Sequence, residues 1–385
     1  MSTAEETNPE PPNALLADAT AGGVGDASSG RALAVYPVED PRALVGGHAV
    51  RLLRNGAETF PAWLAAIEAA ERRISLEMYI FSDDGIGRRF AAALGRAAKR
   101  GVEVRLLYDY AGCRDTPARF FQQMRAEGVH VVAYHKYRLW RPRLWSLWRR
   151  NHRKSLICDG TVAFTGGVNI SDEWVAAAEG GGDWHDAVVE VHGPAVATIE
   201  AKFLHTWNRR ARKRMRLAPA ALVNPPPAGD VSLAVIANSE LRDRFVIRRA
   251  ALYAIRESRR RVLLANPYFV PDPGFLRAMA ARAVFGPLLA AGVRIFRSHH
   301  VIHTKALAVD DGFVSIGSYN LDHRSLAYNL EMVVNAVDPR LTADTAAMLE
   351  ADMAACVELT RATFAARSLL ERLLERLAYS LRRWL

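Results

Sequence analysis

Apolar positions along residues 60–134 alternate between two periods. Phe60 to Arg72, Gly87 to Lys99 and Pro117 to Glu127 carry them at helical spacing, whereas Ile74 to Phe81, Val102 to Tyr108 and Val129 to Tyr134 are short, nearly continuous apolar runs. Runs of that length bounded by Gly, Pro or charged residues are buried strands, and the longer stretches with an apolar stripe are helices. Their alternation predicts an α/β unit: a mixed sheet with crossover helices on its faces. A strand starting near His152, another over Ala187 to Val191 and a helix over Lys202 to Arg216 extend the unit.

The pattern then repeats. Ala254 to Val262 lines up with Ala66 to Ile74, and Leu288 to Phe296 with Met124 to Val132. An internal duplication of this kind predicts two similar lobes about a pseudo-twofold axis, with one site between them. The expected boundaries are a disordered tail over 1–42, a first lobe over 43–218, a Pro-rich linker over 219–230, a second lobe over 231–362 and a basic amphipathic helix over 363–385. The copies differ in length: 54 positions separate Ile74 from Gly128, but only 30 separate Val262 from Gly292. The missing residues match the strand Val102 to Tyr108 and its flanks, so the second sheet is expected to have one strand fewer.

Polar residues that break the apolar pattern at the same place in both copies are the candidate chemistry. His152, Lys154 and Asp159 are followed by Gly166, Gly167 and Asn169; His303, Lys305 and Asp310 are followed by Gly317, Ser318 and Asn320. Each set reads H-x-K-x-x-x-x-D, an apolar run, a small pair and an Asn. A period of two along Val301 to Val309 points His and Lys to one face of a strand. An ammonium beside an imidazole keeps the ring neutral until an anion compensates the charge. Two such faces could set one His to attack a phosphorus and the other to protonate the departing oxygen. The two Asp residues come seven positions after their His and are expected to hold the neighbouring turn, although they complete the motif.

With these motifs the chain resembles the phospholipase D superfamily. Val50 to Ala57, Gly166 to Trp174 and Gly317 to Asp322 narrow the resemblance to bacterial cardiolipin synthases, of the short type without N-terminal transmembrane anchors. It implies two pseudo-twofold-related phospholipase D-like lobes and a catalytic set of His152, Lys154, Asp159, His303, Lys305 and Asp310. His152 would form a phosphohistidine and His303 would serve as acid and then base. Asn169, Asn320, Gly167 and Ser318 would bind the substrate phosphate, and Asp186 and Glu331 would orient the imidazoles. His185 stands where the family usually has a basic residue. No cofactor or metal is implied, because two ammonium groups already supply the cationic work.

Composition is compatible with this reading and narrows the partners. The 385 residues are half hydrophobic and carry a formal net charge of +10, which calls for an anionic partner. Cys113, Cys158 and Cys356 lack the spacing of a zinc site or a disulfide framework. No uncharged apolar run reaches the ~18 residues of a membrane span. Trp140, Trp145 and Trp148 lie among arginines between His135 and Arg150, a mixture suited to a lipid headgroup layer or to single-stranded nucleic acid. The basic run Arg209 to Arg216 reads as a solvated face. Near the C-terminus Leu370, Leu373, Leu374, Leu377, Leu381, Trp384 and Leu385 form one helical stripe, to be packed on the body or laid on an acidic membrane.

The reaction expected from these features is transfer of a phosphatidyl group between two phosphatidylglycerol molecules, giving cardiolipin and glycerol, at the cytoplasmic face of a bacterial membrane with peripheral attachment. The alternatives are a hydrolytic phospholipase D, a phosphodiesterase or nuclease of the same superfamily, and a non-enzymatic anion- or membrane-binding relative.

Overall fold

The computed structural model of the chain describes residues 44–135, 149–216, 222–238, 245–267 and 285–380. The first half opens with strand β1 (Val45–Arg54), helix α1 (Asn55–Ala69), strand β2 (Arg73–Met78), helix α2 (Gly85–Lys99), strand β3 (Glu103–Asp109), helix α3 (Ala118–Ala126) and strand β4 (His130–Tyr134). It continues with β5 (Ser155–Cys158), β6 (Val162–Gly166), β7 (Ala187–His192) and helix α4 (Ala195–Arg210). The expected elements are therefore present. β1 and β6 had not been read as strands, and the helix expected over Lys202 to Arg216 begins seven residues earlier and gives way to a 3-10 turn at Lys213–Met215.

The second half repeats the order with β8 (Val231–Ala237), α5 (Val246–Glu257), β9 (Val262–Ala265), α6 (Phe285–Ala290), β10 (Ile295–Arg297), β11 (Ala306–Val309), β12 (Phe313–Gly317), α7 (His323–Ala327), β13 (Met332–Val337) and α8 (Pro339–Ala354). Strand β14 (Val357–Leu359), helix α9 (Arg361–Ala365) and helix α10 (Leu369–Ser380) follow. The expected tail over 1–42, the tryptophan-rich stretch over 136–148 and the residues after 380 lie outside the described segments. The linker residues 222–230 run along the start of β1, where Ala228 N–H donates to the Gly47 carbonyl at 2.9 Å.

The two lobes share one sheet rather than owning one each. Twelve strands run in the order β4-β3-β2-β5-β6-β7-β1-β8-β13-β12-β11-β9. The order is palindromic about the antiparallel pair β1–β8, which is where the pseudo-twofold falls. Among the described residues the first half supplies seven strands and the second five. One deficit is the expected one, the counterpart of β3. The other was not foreseen: β10, the counterpart of β4, exists but leaves the sheet and pairs antiparallel with β14. In the first half β4 is held by β3, parallel on both of its edges. Among the described residues no strand stands between β9 and β10 to offer such a ladder, and the backbone groups of β10 pair with β14.

Burial follows the layers. On one face of the first half α1 and α2 pack Phe60, Trp63, Ile67, Phe90 and Leu94 against Ile74, Leu76, Leu106 and Phe164. On the other face a single core crosses the duplication, joining Phe203 and Trp207 of α4 and Leu341, Met348 and Leu349 of α8 to Ile157, Val189, Ile316 and Met332. The shared core and shared sheet fix the halves relative to one another, which is what a site built from both requires.

Candidate active site

The motif His and Lys residues precede their strands instead of lying within them. β5 begins at Ser155 and β11 at Ala306, so each H-x-K segment is an extended lead-in. What holds it is the opposite half. Asn151 bridges Leu330 and His185 bridges Ile302. The His152 N–H donates to the Leu330 carbonyl at 3.0 Å, and the His303 N–H donates to the His185 carbonyl at 2.7 Å.

That stitching delivers the carboxylates crosswise. His152 Nδ1 lies 3.0 Å from Glu331 Oε2, and His303 Nδ1 lies 2.6 Å from Asp186 Oδ2. Each half therefore orients the imidazole of the other. A carboxylate on Nδ1 fixes that nitrogen as the N–H bearer and leaves Nε2 with the lone pair. Lys305 Nζ also lies 2.8 Å from His303 Nδ1. One nitrogen cannot donate and accept at once, so the carboxylate contact is the hydrogen bond, and the ammonium is held by the His303 carbonyl. Lys154 Nζ donates to the His152 carbonyl at 2.7 Å and sits over the Tyr79 ring.

Both carboxylates are completely buried and fully engaged. Asp186 accepts from Trp174 Nε1 at 3.2 Å and from the Ala187 N–H at 2.9 Å. Glu331 accepts from Ser318 Oγ at 2.5 Å, Ser325 Oγ at 2.8 Å and Asn329 Nδ2 at 3.1 Å. Trp174 and Ser325 occupy matching positions of the two copies and perform the same donation with different chemistry. Asn55 and Asn238, each directly after a strand at the centre of the sheet, accept from the backbone N–H of Asp186 at 2.9 Å and of Glu331 at 2.6 Å. Sequence reasoning missed Asn55, Asn238, Trp174 and Ser325 as positioning residues. The available signal was an Asn closing the first strand of both copies, in Leu53-Arg54-Asn55 and Ile236-Ala237-Asn238.

Electrostatics match the packing. Burial lowers the His303 pKa to about 3, reinforced by Lys305 and opposed by Asp186. His152 is lowered by burial and Lys154 against the pull of Glu331. Lys154 is brought down to about 7 by burial and by Lys305, and Lys305 to about 8 by burial. Burial pushes Asp186 and Glu331 up, but the facing cations outweigh it and hold both below the usual carboxylate range. The arrangement suits an anion: two rings held neutral with the lone pair on Nε2, and two ammonium groups whose proton affinity an incoming phosphate would raise.

The remaining predicted residues separate into two groups. Asn169 is buried and its Oδ1 accepts from the Ile80 N–H at 3.0 Å, leaving its amide N–H groups to donate elsewhere. Asn320 is equally buried, but its Oδ1 has no hydrogen-bond partner among the described residues; the position matching Ile80 lies outside them. At Gly167 a Cβ would come within 2.0 Å of Asp186 Oδ1, so the carboxylate needs glycine there. Ser318 fills the matching position and donates to Glu331 instead. Asp159 and Asp310 stand apart from the imidazoles. With φ of 53° and 50° they close the turn after β5 and β11, and each carboxylate accepts three backbone N–H groups, of Glu71, Arg72 and Arg73 or of Arg259, Arg260 and Arg261. The motif aspartates tie the motif strand to the turn before β2 or β9.

His185 bonds Asp352 at the end of α8 at 2.7 Å, which raises its pKa, and its ring stacks on His300. Among the described residues no group of three His, Cys, Asp or Glu side chains could hold a metal ion, and no helix is long and apolar enough to cross a membrane.

A family model described as "Cardiolipin synthase, PLD-like domain" matches residues 63–207 and 276–353, a range holding both H-x-K segments and both carboxylates. The chain belongs to this family. Cardiolipin synthase A of Pseudomonas entomophila is 31% identical over 361 residues, spanning 87% of this chain and 74% of the relative. A cardiolipin synthase of Geobacillus kaustophilus is 34% identical over 324 residues, spanning 75% of this chain and 64% of that protein. The fold is shared with the crystal structure of phosphatidylserine synthase from Haemophilus influenzae, with a TM-score of 0.65, 13% identity, and coverage of 89% of this chain and 95% of that one.

Proposed function

We propose that the chain is a phosphatidyltransferase that makes cardiolipin and glycerol from two molecules of phosphatidylglycerol. The observation that carries this reading is the crossed pairing of two imidazoles with two carboxylates, flanked by two buried ammonium groups. His152 Nε2 attacks the phosphorus of the first lipid. The P–N bond forms as the P–O bond to the head-group glycerol breaks, and His303 supplies the proton that the leaving oxygen takes. A bound phosphodiester offsets the ammonium charges, so Asp186, at 2.6 Å, can support the His303 imidazolium. His303 then accepts the proton from the hydroxyl of the second phosphatidylglycerol, whose oxygen displaces His152 from phosphorus. Lys154, Lys305, Asn169 and Asn320 bind the non-bridging oxygens through the transition state.

The phosphohistidine keeps the bond energy available for transfer, so no nucleotide is consumed. Lipid substrates place the enzyme at the cytoplasmic face of the bacterial membrane as a peripheral protein. Hydrolysis is the second reading, favoured by the same geometry whenever water takes the acceptor's place. The test is to incubate purified protein with labelled phosphatidylglycerol and identify the products. Cardiolipin with equimolar glycerol supports transfer; phosphatidic acid with equimolar glycerol and no cardiolipin identifies hydrolysis and overturns it. A protein that instead cleaves DNA in the presence of a chelator, with no lipid product, overturns the lipid reading altogether.

A further inference from the structure

Helix α10 is built inside out for a helix of a soluble body. Among its described side chains the buried one is Glu375, 3% exposed and paired with Arg367, while Leu369, Leu370 and Leu373 are 82%, 64% and 64% exposed. At 100° per residue these leucines, with Leu374, fall within an arc of about 140° opposite Glu375. Of the two expectations for the stripe, packing on the body is not met by its described leucines: the helix is fastened by its charges and presents those leucines. Arg367 lies over the Phe364 ring, and Arg372 bonds the Ala365 carbonyl, so the attachment runs through α9 and not through the apolar face. Arg372 and Arg376, both exposed, border the leucine arc on one edge.

We infer that this leucine face is the surface by which the enzyme seats on an anionic phospholipid bilayer. Leucines directed outward supply the apolar area that enters the headgroup–acyl boundary, and the bordering arginines meet lipid phosphate. The net charge of +10 adds long-range attraction of the same sign. The period continues in the sequence through Leu381, Trp384 and Leu385, with Arg382 and Arg383 between them. The choice of a lipid surface over another protein rests on the proposed lipid substrate; the inverted amphipathic helix does not.

The experiment compares the full chain with Leu370→Glu/Leu373→Glu, with Leu252→Glu on α5 as an exposed control and with His152→Ala. Flotation with vesicles of phosphatidylcholine, with and without phosphatidylglycerol, reads binding; turnover of a short-chain, monomeric phosphatidylglycerol reads the active site. The double variant is expected to lose at least tenfold in affinity for the anionic vesicles while turning over the monomeric lipid normally. Leu252→Glu should keep both activities. An environment-sensitive dye on Leu373→Cys should shift to the blue on anionic vesicles. Unchanged flotation of the double variant, or a dye that does not shift, overturns the inference. So does a wild type that ignores vesicles yet sediments as a dimer which the double variant dissociates. His152→Ala should bind vesicles and make no product. A wild type that binds through α10 but makes no cardiolipin sinks the proposed reaction and leaves the docking surface standing.

Discussion

The two H-x-K segments have the same geometry and different foundations. Behind His152 lies a buried polar network. Glu77 accepts from Asn151 Nδ2 at 2.6 Å and faces Arg153, Asp109 accepts from the Asn151 N–H at 2.7 Å, and Arg153 reaches the carbonyls of Glu331 and Asn238 at 3.2 and 2.5 Å. Burial pushes Glu77 up and Asp109 up to about 6, so these carboxyls are kept only by their partners. The positions matching Glu77, Asn151 and Arg153 in the second half are Ala265, Ile302 and Thr304, which carry no charge with which to continue such a network. Strand β2 is buried along nearly its whole length, whereas β9, the sheet edge, has Leu264 46% exposed. Both segments take backbone contacts from the opposite half, and the first has this side-chain network behind it as well. The crossed design explains how a shortened lobe can still present a well-placed imidazole: its orientation is set by Asp186 and Trp174, which the complete lobe supplies.

The largest test of this near-symmetry is catalytic. His152→Ala and His303→Ala should each lower kcat/KM for transfer by about 10³-fold or more, followed as cardiolipin formed from labelled phosphatidylglycerol. A loss confined to one of them would break the equivalence. Next comes the difference in foundations. Arg153→Met strands Glu77 and two carbonyls in the interior and should cost about 3–5 kcal/mol in urea unfolding. Thr304→Val, at the matching position, removes a buried hydroxyl with no partner among the described residues and should stay within about 1 kcal/mol of wild type, on the stabilising side. Equal losses at the two positions would show that the polar network is not what distinguishes the halves.

The crossing itself is sharpened by titration. Glu331 raises the His152 pKa, so Glu331→Gln should lower that pKa further, as read by imidazole NMR, and leave His303 in place; Asp186→Asn should act on His303 alone. Each should cut transfer by roughly 10²-fold or more through loss of tautomer control. A shift of the His in the same half as the mutated carboxylate would refute the crossed arrangement. The smallest expected effect concerns the lysines. Their folded pKa values, about 7 and about 8, lie below the unfolded value of 10.5. Between those limits the unfolded chain holds more protons, so stability should rise with pH from about 7 to about 10.5, with the full penalty present below about 7. Lys154→Met should flatten that slope and raise Tm at pH 7 by a few degrees, on the order of 1 kcal/mol. A Tm that falls instead would mean that the buried ammonium is a net support.

Reading the chain alone recovered the elements whose apolar period is clean, such as α2 and β3, because periodicity reports which face is buried. It singled out His152, Lys154, His303 and Lys305 because polar groups repeated at one place beside two apolar runs have no packing explanation. It could not recover Asn55 and Asn238, whose value lies in side-chain hydrogen bonds to residues more than 90 positions away in sequence. Nor could it recover Glu77 and Arg153, since a charge inside an apolar run gains meaning only from what faces it.

By itself the sequence determined the duplication and the order of strands and helices, showed the second copy to be the shorter, and singled out the two H-x-K segments, all of which are local or periodic properties. Tertiary structure alone decided that the two sheets are one, that β10 deserts it for β14, that each carboxylate serves the other half's imidazole, and that α10 turns its leucines outward. The reason is that pairing and facing are relations between distant segments, set by which backbone groups and charges find partners when the whole chain closes, and composition and periodicity carry no record of that choice.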